Sequence, residues 1–139
     1  MEIMVSEVKP VVITPSNLPW ITVAPGVQLK ELTGRVAPLG ARSELGSVAL
    51  FQLAPGSASA WSHNKEGEES FFVLKGHGEI RTGSDVQPIG PGDYILIPPH
   101  VVRSISASRG EVLEFYAITT PAWSQDDDVL VAPPEGASL

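Results

Sequence analysis

A chain of 139 residues with 42% apolar side chains has the size of one domain and can bury a single core. Its formal charge of −7 and its nine scattered basic residues would repel a phosphate backbone, which excludes nucleic acid as an expected partner. It has no cysteine, so disulfide and thiolate chemistry are excluded, and a metal would need His, Asp, Glu or main-chain ligands. Only His63, His77 and His100 are available as histidines.

No apolar run is long enough to span a bilayer, and "MEIMVSEVKP" has neither the basic start nor the apolar core of a signal peptide. The expected protein is soluble and cytoplasmic, with no membrane partner.

The sequence divides into an N-terminal arm over 1–20, a barrel over 21–120 and a Pro-rich acidic tail over 121–139. Thirteen Gly and thirteen Pro leave few windows for a helix, and no segment keeps apolar residues at helical spacing. β-branched and aromatic runs recur instead: "VVIT" in the arm, then "VQLKEL", "VALFQL", "ESFFVLK", "GEIRT", "YILI", "VVRSISA" and "EVLEFYAIT". Each pattern predicts a strand. The turns "APGS", "TGSD", "GPGD" and "SRGE" supply hairpin-like connections that favour antiparallel pairing. An all-β sandwich or barrel follows. The tail is expected to wrap the barrel or reach a partner subunit, and "QDDD" (Gln125–Asp128) to be a solvated part of it, since it lacks the spacing of a calcium loop.

Two segments resemble the two signature motifs of the cupin superfamily, small antiparallel jelly-roll β-barrels. The first is "PGSASAWSHNKEGEESFFVLKGHGEI", where Gly56, Glu69 and Gly76 fall in the family register; the second is "GDYILIPPHVVRSI", where Gly92 and Pro98 do. The inter-motif stretch and the lead-in "LPWITVAPGVQLKEL" extend the resemblance over nearly the whole chain. The resemblance implies an all-β jelly-roll barrel with a small-molecule site in its bowl, and a homodimer.

At the family's metal-ligand positions the sequence departs from the pattern. Counting from Gly56 puts Ser62 and Asn64 where the family has two histidines, and counting from Pro98 puts His100 at a glycine and Arg103 at the last histidine. Only Glu69 remains. A register slipped by one would bring His63 and Lys65 to the histidine positions instead; the unslipped register keeps the Gly56 spacing and turns His63 to the outer face.

A guanidinium beside the site repels a divalent ion and cannot ligate one, so a metal-free cupin is expected, with no cofactor and a Glu69–Arg103 pair in place of the ion. As a mere staple such a pair is a poor source of net stability, which favours a functional role. Arg103 would anchor an anionic or carbonyl oxygen, and Glu69 would accept or donate a proton. Tyr94, His100 and Tyr116 are candidates for a second acid–base group, Tyr94 and His100 foremost, although a Tyr or His at a barrel mouth is more often a packing residue. Trp61, Ser62, Asn64, Phe71, Val73 and Tyr116 are the expected substrate-binding lining, which suits a small, partly apolar organic molecule. His77, in a Gly-flanked turn, reads as solvent-exposed.

Three functions follow. The first is a metal-independent isomerase, cyclase, dehydratase or lyase. The second is a cupin dioxygenase or related oxidoreductase whose divalent metal is held by His63, Glu69 and His100. The third is a metabolite-binding module without chemistry.

Overall fold

The computed structural model describes residues 9–137. Twelve strands occur among them: β1 (Ile21–Ala24), β2 (Val27–Gly34), β3 (Ala41–Arg42), β4 (Ser47–Leu53), β5 (Ser62–Asn64), β6 (Glu68–Lys75), β7 (Gly78–Thr82), β8 (Asp85–Ile89), β9 (Tyr94–Ile97), β10 (Ser104–Ala107), β11 (Leu113–Thr120) and β12 (Asp128–Leu130). The only helical piece among the described residues is a 3-10 turn over Pro15–Asn17. No helix among them is long and apolar enough to cross a membrane.

One sheet runs β1-β2-β4-β11-β6-β9, with the short β3 added in parallel to β2. The strands β10-β7-β8 form a second sheet, and β12 pairs with β5. Bridges from Ala58 to Ser106 and from Ser62 to Arg103 join these two smaller pieces into one wall. Apart from β3 every pairing is antiparallel. The result is a jelly roll in which two walls enclose a bowl.

The core follows from strict alternation along the long strands. In β11, Leu113, Phe115, Ala117 and Thr119 are buried while their neighbours are half-buried, the signature of a strand with one face on the core. Phe115 stacks on Phe51 at 5.3 Å between ring centres and meets Phe71 at 4.9 Å in a tilted contact. Val27, Leu53, Val73, Ile80, Ile89, Ile97 and Ile105 complete the cluster from both walls. Each such side chain taken fully out of water contributes about 1.5–3 kcal/mol, enough to keep the two walls closed. Both faces of β10 are buried, and its hydroxyl Ser104 Oγ donates to Ser59 O at 2.7 Å, satisfying a polar group inside the wall.

Two expectations change here. "VVIT" forms no strand: Val11 and Val12 are exposed, and the run leads straight into Pro15 and the 3-10 turn, which removes the register a strand would need. The described part of the arm is held instead by Lys30, whose Nζ donates to Pro15 O at 2.9 Å and lies 4.6 Å from the centre of the Trp20 ring. "QDDD" is solvated only in its first half: Gln125 and Asp126 are exposed, whereas Asp127 is held by the β5–β6 turn and Asp128 begins β12 beside β5.

Two backbone positions mark the cupin-like motifs. Gly76 has φ +84, and a Cβ there would sit 1.9 Å from Val112 O, so only glycine fits this close approach. His100 has φ +72, at the position where the resemblance places a glycine. The backbone keeps the glycine conformation with a histidine in it, and its side chain is exposed. Left-handed geometry costs an L-residue about 1–2 kcal/mol, partly offset by the entropy a glycine loses on folding, so His100→Gly is expected to stabilise the fold by roughly 0.5 kcal/mol and raise Tm by about 1–3 °C. Thermal unfolding checks this, and an unchanged or lower Tm would mean the imidazole is itself held.

Candidate functional site

Pairing register arranges the inner face of the large sheet in rows. One row runs Leu29, Phe51, Phe115 and Val73; the next Glu31, Ala49, Ala117 and Phe71; the next brings Ser47, Thr119 and Glu69 to the rim, where a register shift in β2 sets Thr33 opposite Val48. Polarity therefore rises toward the mouth. With Ser59, Ala60, Ser62, Arg103 and Ile105 from the opposite wall, these rows enclose a cavity of about 520 Å³.

Glu69 and Arg103 meet in direct contact in the wall of this cavity. Arg103 is 5% exposed, and its Nη2 donates to Glu69 Oε1 and, at 2.8 Å, to Asn64 Oδ1. The backbone sets that position. Ser62 and Arg103 exchange both main-chain hydrogen bonds, at 3.1 and 3.0 Å. The second carboxylate oxygen, Oε2, accepts from Thr119 Oγ1 at 3.0 Å, because Thr119 is the cross-strand partner of Glu69. Both oxygens are thus oriented, while a carboxylate keeps further lone pairs for a ligand.

The network continues outward through Asn64, whose Nδ2 donates to Asp127 Oδ2 at 3.2 Å. Asp127 also accepts from the N–H of Glu66 at 2.7 Å and of Gly67 at 3.0 Å. It caps the turn between β5 and β6 from the tail. Burial opposes its charge, but the Glu66 N–H, the Asn64 amide and the N–H groups of Gly67 and Lys65 outweigh it and hold the Asp127 carboxyl below its ordinary value of 3.8. The next residue, Asp128, lines the cavity: Oδ2 accepts from Trp123 Nε1 at 2.9 Å, and Oδ1 is buried without a hydrogen-bond partner.

Of the residues expected at the site, the structure brings together Glu69, Arg103, Ser62 and Phe71 at the cavity and Asn64 directly behind Arg103. Val73 is fully buried beneath it. The others lie elsewhere, for reasons of strand parity. Trp61 and His63 alternate with Ala60 and Ser62 and so face away from the cavity, Trp61 being buried there. Tyr116 sits between the inward Phe115 and Ala117, on the outer face opposite Leu50 and Phe72. Tyr94 pairs with Phe72 on that same outer face and is 60% exposed. His100 is exposed on its turn, its ring 6.4 Å from that of His63. None of these last five lines the cavity. His77 is exposed and contacts Glu111 Oε1 at 2.5 Å. The reading of the sequence missed Glu31, Thr119, Trp123 and Asp128. For Thr119 the signal was present, since it continues the alternation of Phe115 and Ala117.

The family's metal-ligand positions hold a donor set that does not fit a divalent ion. The oxygens of Glu69 and Asn64 that would face it already accept from the Arg103 guanidinium, and the remaining position is a serine. Nor does the alternative set converge, because Glu69 points into the cavity while His63 and His100 lie outside it; among the described residues no group of three His, Cys, Asp or Glu could hold a metal.

The bowl, its two motifs and this charge arrangement define a small cupin. The cupin domain family (Cupin_2) matches residues 49–119, half of the chain, and the chain belongs to it. A search by sequence among curated proteins found no relative. Among solved structures, a Streptomyces Pac13 variant with uridine superposes with TM-score 0.73 at 18% identity, covering 93% of this chain and 96% of its own; Pac13 is described as a nucleoside dehydratase. The polyketide cyclase RemF from Streptomyces resistomycificus gives 0.67 at 15% identity, over 86% and 89%. KdgF from Halomonas sp. gives 0.69 at 18%, over 85% and 98%. At these identities the likeness establishes the fold.

Asp127→Ala removes the acceptor of the turn and is expected to cost about 1–2 kcal/mol at neutral pH, measured by urea unfolding. Because the folded carboxyl is lowered, its contribution is complete above the ordinary value of 3.8 and is lost as pH falls through the folded value. The gap between parent and variant is therefore expected to narrow in acid and to stay constant from pH 5 upward.

Proposed function

We propose that the chain is a small-molecule enzyme that works by metal-independent acid–base and electrostatic catalysis in the bowl, of the isomerase, cyclase, dehydratase or lyase type. The observation that carries this reading is the Glu69–Arg103 pair set in the wall of a 520 Å³ cavity. A buried pair stabilises poorly compared with apolar packing, so its retention at an open cavity argues for use. The nucleoside dehydratase and the polyketide cyclase among the structural neighbours support the same class.

In this mechanism Glu69 exchanges a proton with the substrate through the lone pairs that Arg103 and Thr119 leave free. Arg103 keeps the carboxylate in place and balances negative charge that develops beside it, an effect that the apolar walls strengthen by excluding water. Phe71, Phe115, Phe51 and the two alanines of the middle row hold an apolar ring against the floor of the bowl. No cofactor is required in this scheme.

Glu69→Gln is nearly isosteric and is expected to lower kcat on a turned-over substrate by about 100-fold or more, with the fold unchanged by circular dichroism. Full turnover in that variant would overturn the assignment. So would stoichiometric iron, manganese, nickel or zinc in untagged protein by elemental analysis.

The same reading makes the enzyme a homodimer. β9 is the outer strand of the large sheet, and Phe72, Leu74, Tyr94 and Leu96 expose an apolar patch on the outer faces of β6 and β9. A self-complementary two-fold contact would cover it. Light scattering is expected to give twice the chain mass, and Leu96→Lys with Tyr94→Lys to return a monomer.

A further inference from the structure

The cavity holds one cation and three carboxylates among its lining residues: Arg103 against Glu31, Glu69 and Asp128. The guanidinium is already committed to Glu69 and Asn64. Two carboxylates are left without a charge partner.

Their surroundings differ from those of ordinary surface acids. Among the described residues Glu31 has no hydrogen-bond or ion-pair partner, and its Oε2 lies over Gly34, where a Cβ would approach to 2.8 Å. Asp128 is pinned by the Trp123 indole through one oxygen, and its other oxygen is buried and unpartnered. A buried acceptor left unmade costs about 1–3 kcal/mol, a deficit that a rotation of the Asp128 carboxylate toward a ligand donor in the cavity would remove.

Position adds a constraint of length. Glu31 and Glu69 stand on strands separated by β4 and β11, so their backbones are about 14 Å apart across the sheet. Between them the middle row narrows to Ala49 and Ala117 over the stacked Phe51 and Phe115. A ring fits this gap, with polar groups at its ends.

Resting on the reading that the bowl holds a small organic molecule, we propose that Glu31 and Asp128 are the donor-binding groups of the site. The ligand is then a neutral or cationic ring compound bearing hydroxyl or amine groups, and its phosphorylated or carboxylated counterparts are excluded. A phosphate monoester brings a charge of about −1.5 to −2 near neutrality into a lining of net −2 on a chain of net −7, where the low dielectric amplifies the repulsion.

Calorimetric titration of the full chain with two matched series tests this: uridine, 5′-amino-5′-deoxyuridine and uridine 5′-monophosphate, and benzyl alcohol, benzylamine and benzoate. The expected order of affinity is amine, then neutral compound, then anion, with the anion at least about tenfold weaker than its neutral counterpart. Glu31→Gln and Asp128→Asn, singly and together, are expected to compress that ratio severalfold while thermal unfolding stays cooperative. Anions that bind as tightly as their neutral counterparts, a ratio unmoved by both substitutions, or no saturable binding of any of the six at millimolar concentration would each overturn the proposal. The catalytic reading fails separately, when Glu69→Gln retains turnover, so the two failures are distinguishable.

Discussion

A single guanidinium organises this bowl. Arg103 is buried between Asn64 and Glu69, and its backbone is paired in both directions with Ser62. Removing a charge of that size from water costs several kcal/mol unless its donors are met, and they are met from β5 on one side and β6 on the other. The strands that carry Asn64 and Glu69 are therefore constrained to one geometry at the rim. Thr119 and Asp127 extend the same constraint to β11 and to the tail. The site is braced at the Glu69–Arg103 pair and apolar along the floor of the bowl.

Much of the fold was legible because its long strands bury one face. In "ESFFVLK" and "EVLEFYAIT" the alternation set which residues face the core; the motif spacing left two registers at Ser62–Lys65, and the structure has Ser62 at the cavity, Asn64 behind Arg103 and His63 turned away. His100 is the sharpest instance: spacing put it at a glycine position, and its backbone has a glycine's φ. Some short strands were not legible. β5, β8 and β12 have three to five residues, too few to show a period, and their polar content resembles loop. "VVIT" failed for the opposite reason, since β-branched composition describes a preference and not a partner.

The site was legible only where a motif carried it. Glu69 and Arg103 follow from spacing, whereas Glu31 and Asp128 reach the cavity through pairings distant in sequence, β2 with β4 and β12 with β5. No local pattern encodes such pairings. Tyr94 and Tyr116 illustrate the reverse error, chemistry-bearing residues chosen by type when strand parity turns both outward.

The tail places two adjacent acids in different roles. Asp127 braces the turn that positions Asn64 behind Arg103, and Asp128 faces the cavity. During synthesis every other strand described here leaves the ribosome before these two residues do. The barrel can pair its sheets earlier, but its charged centre is braced, and its mouth furnished, only once β12 has emerged. A nascent chain lacking these last strand residues has no finished site to offer a ligand.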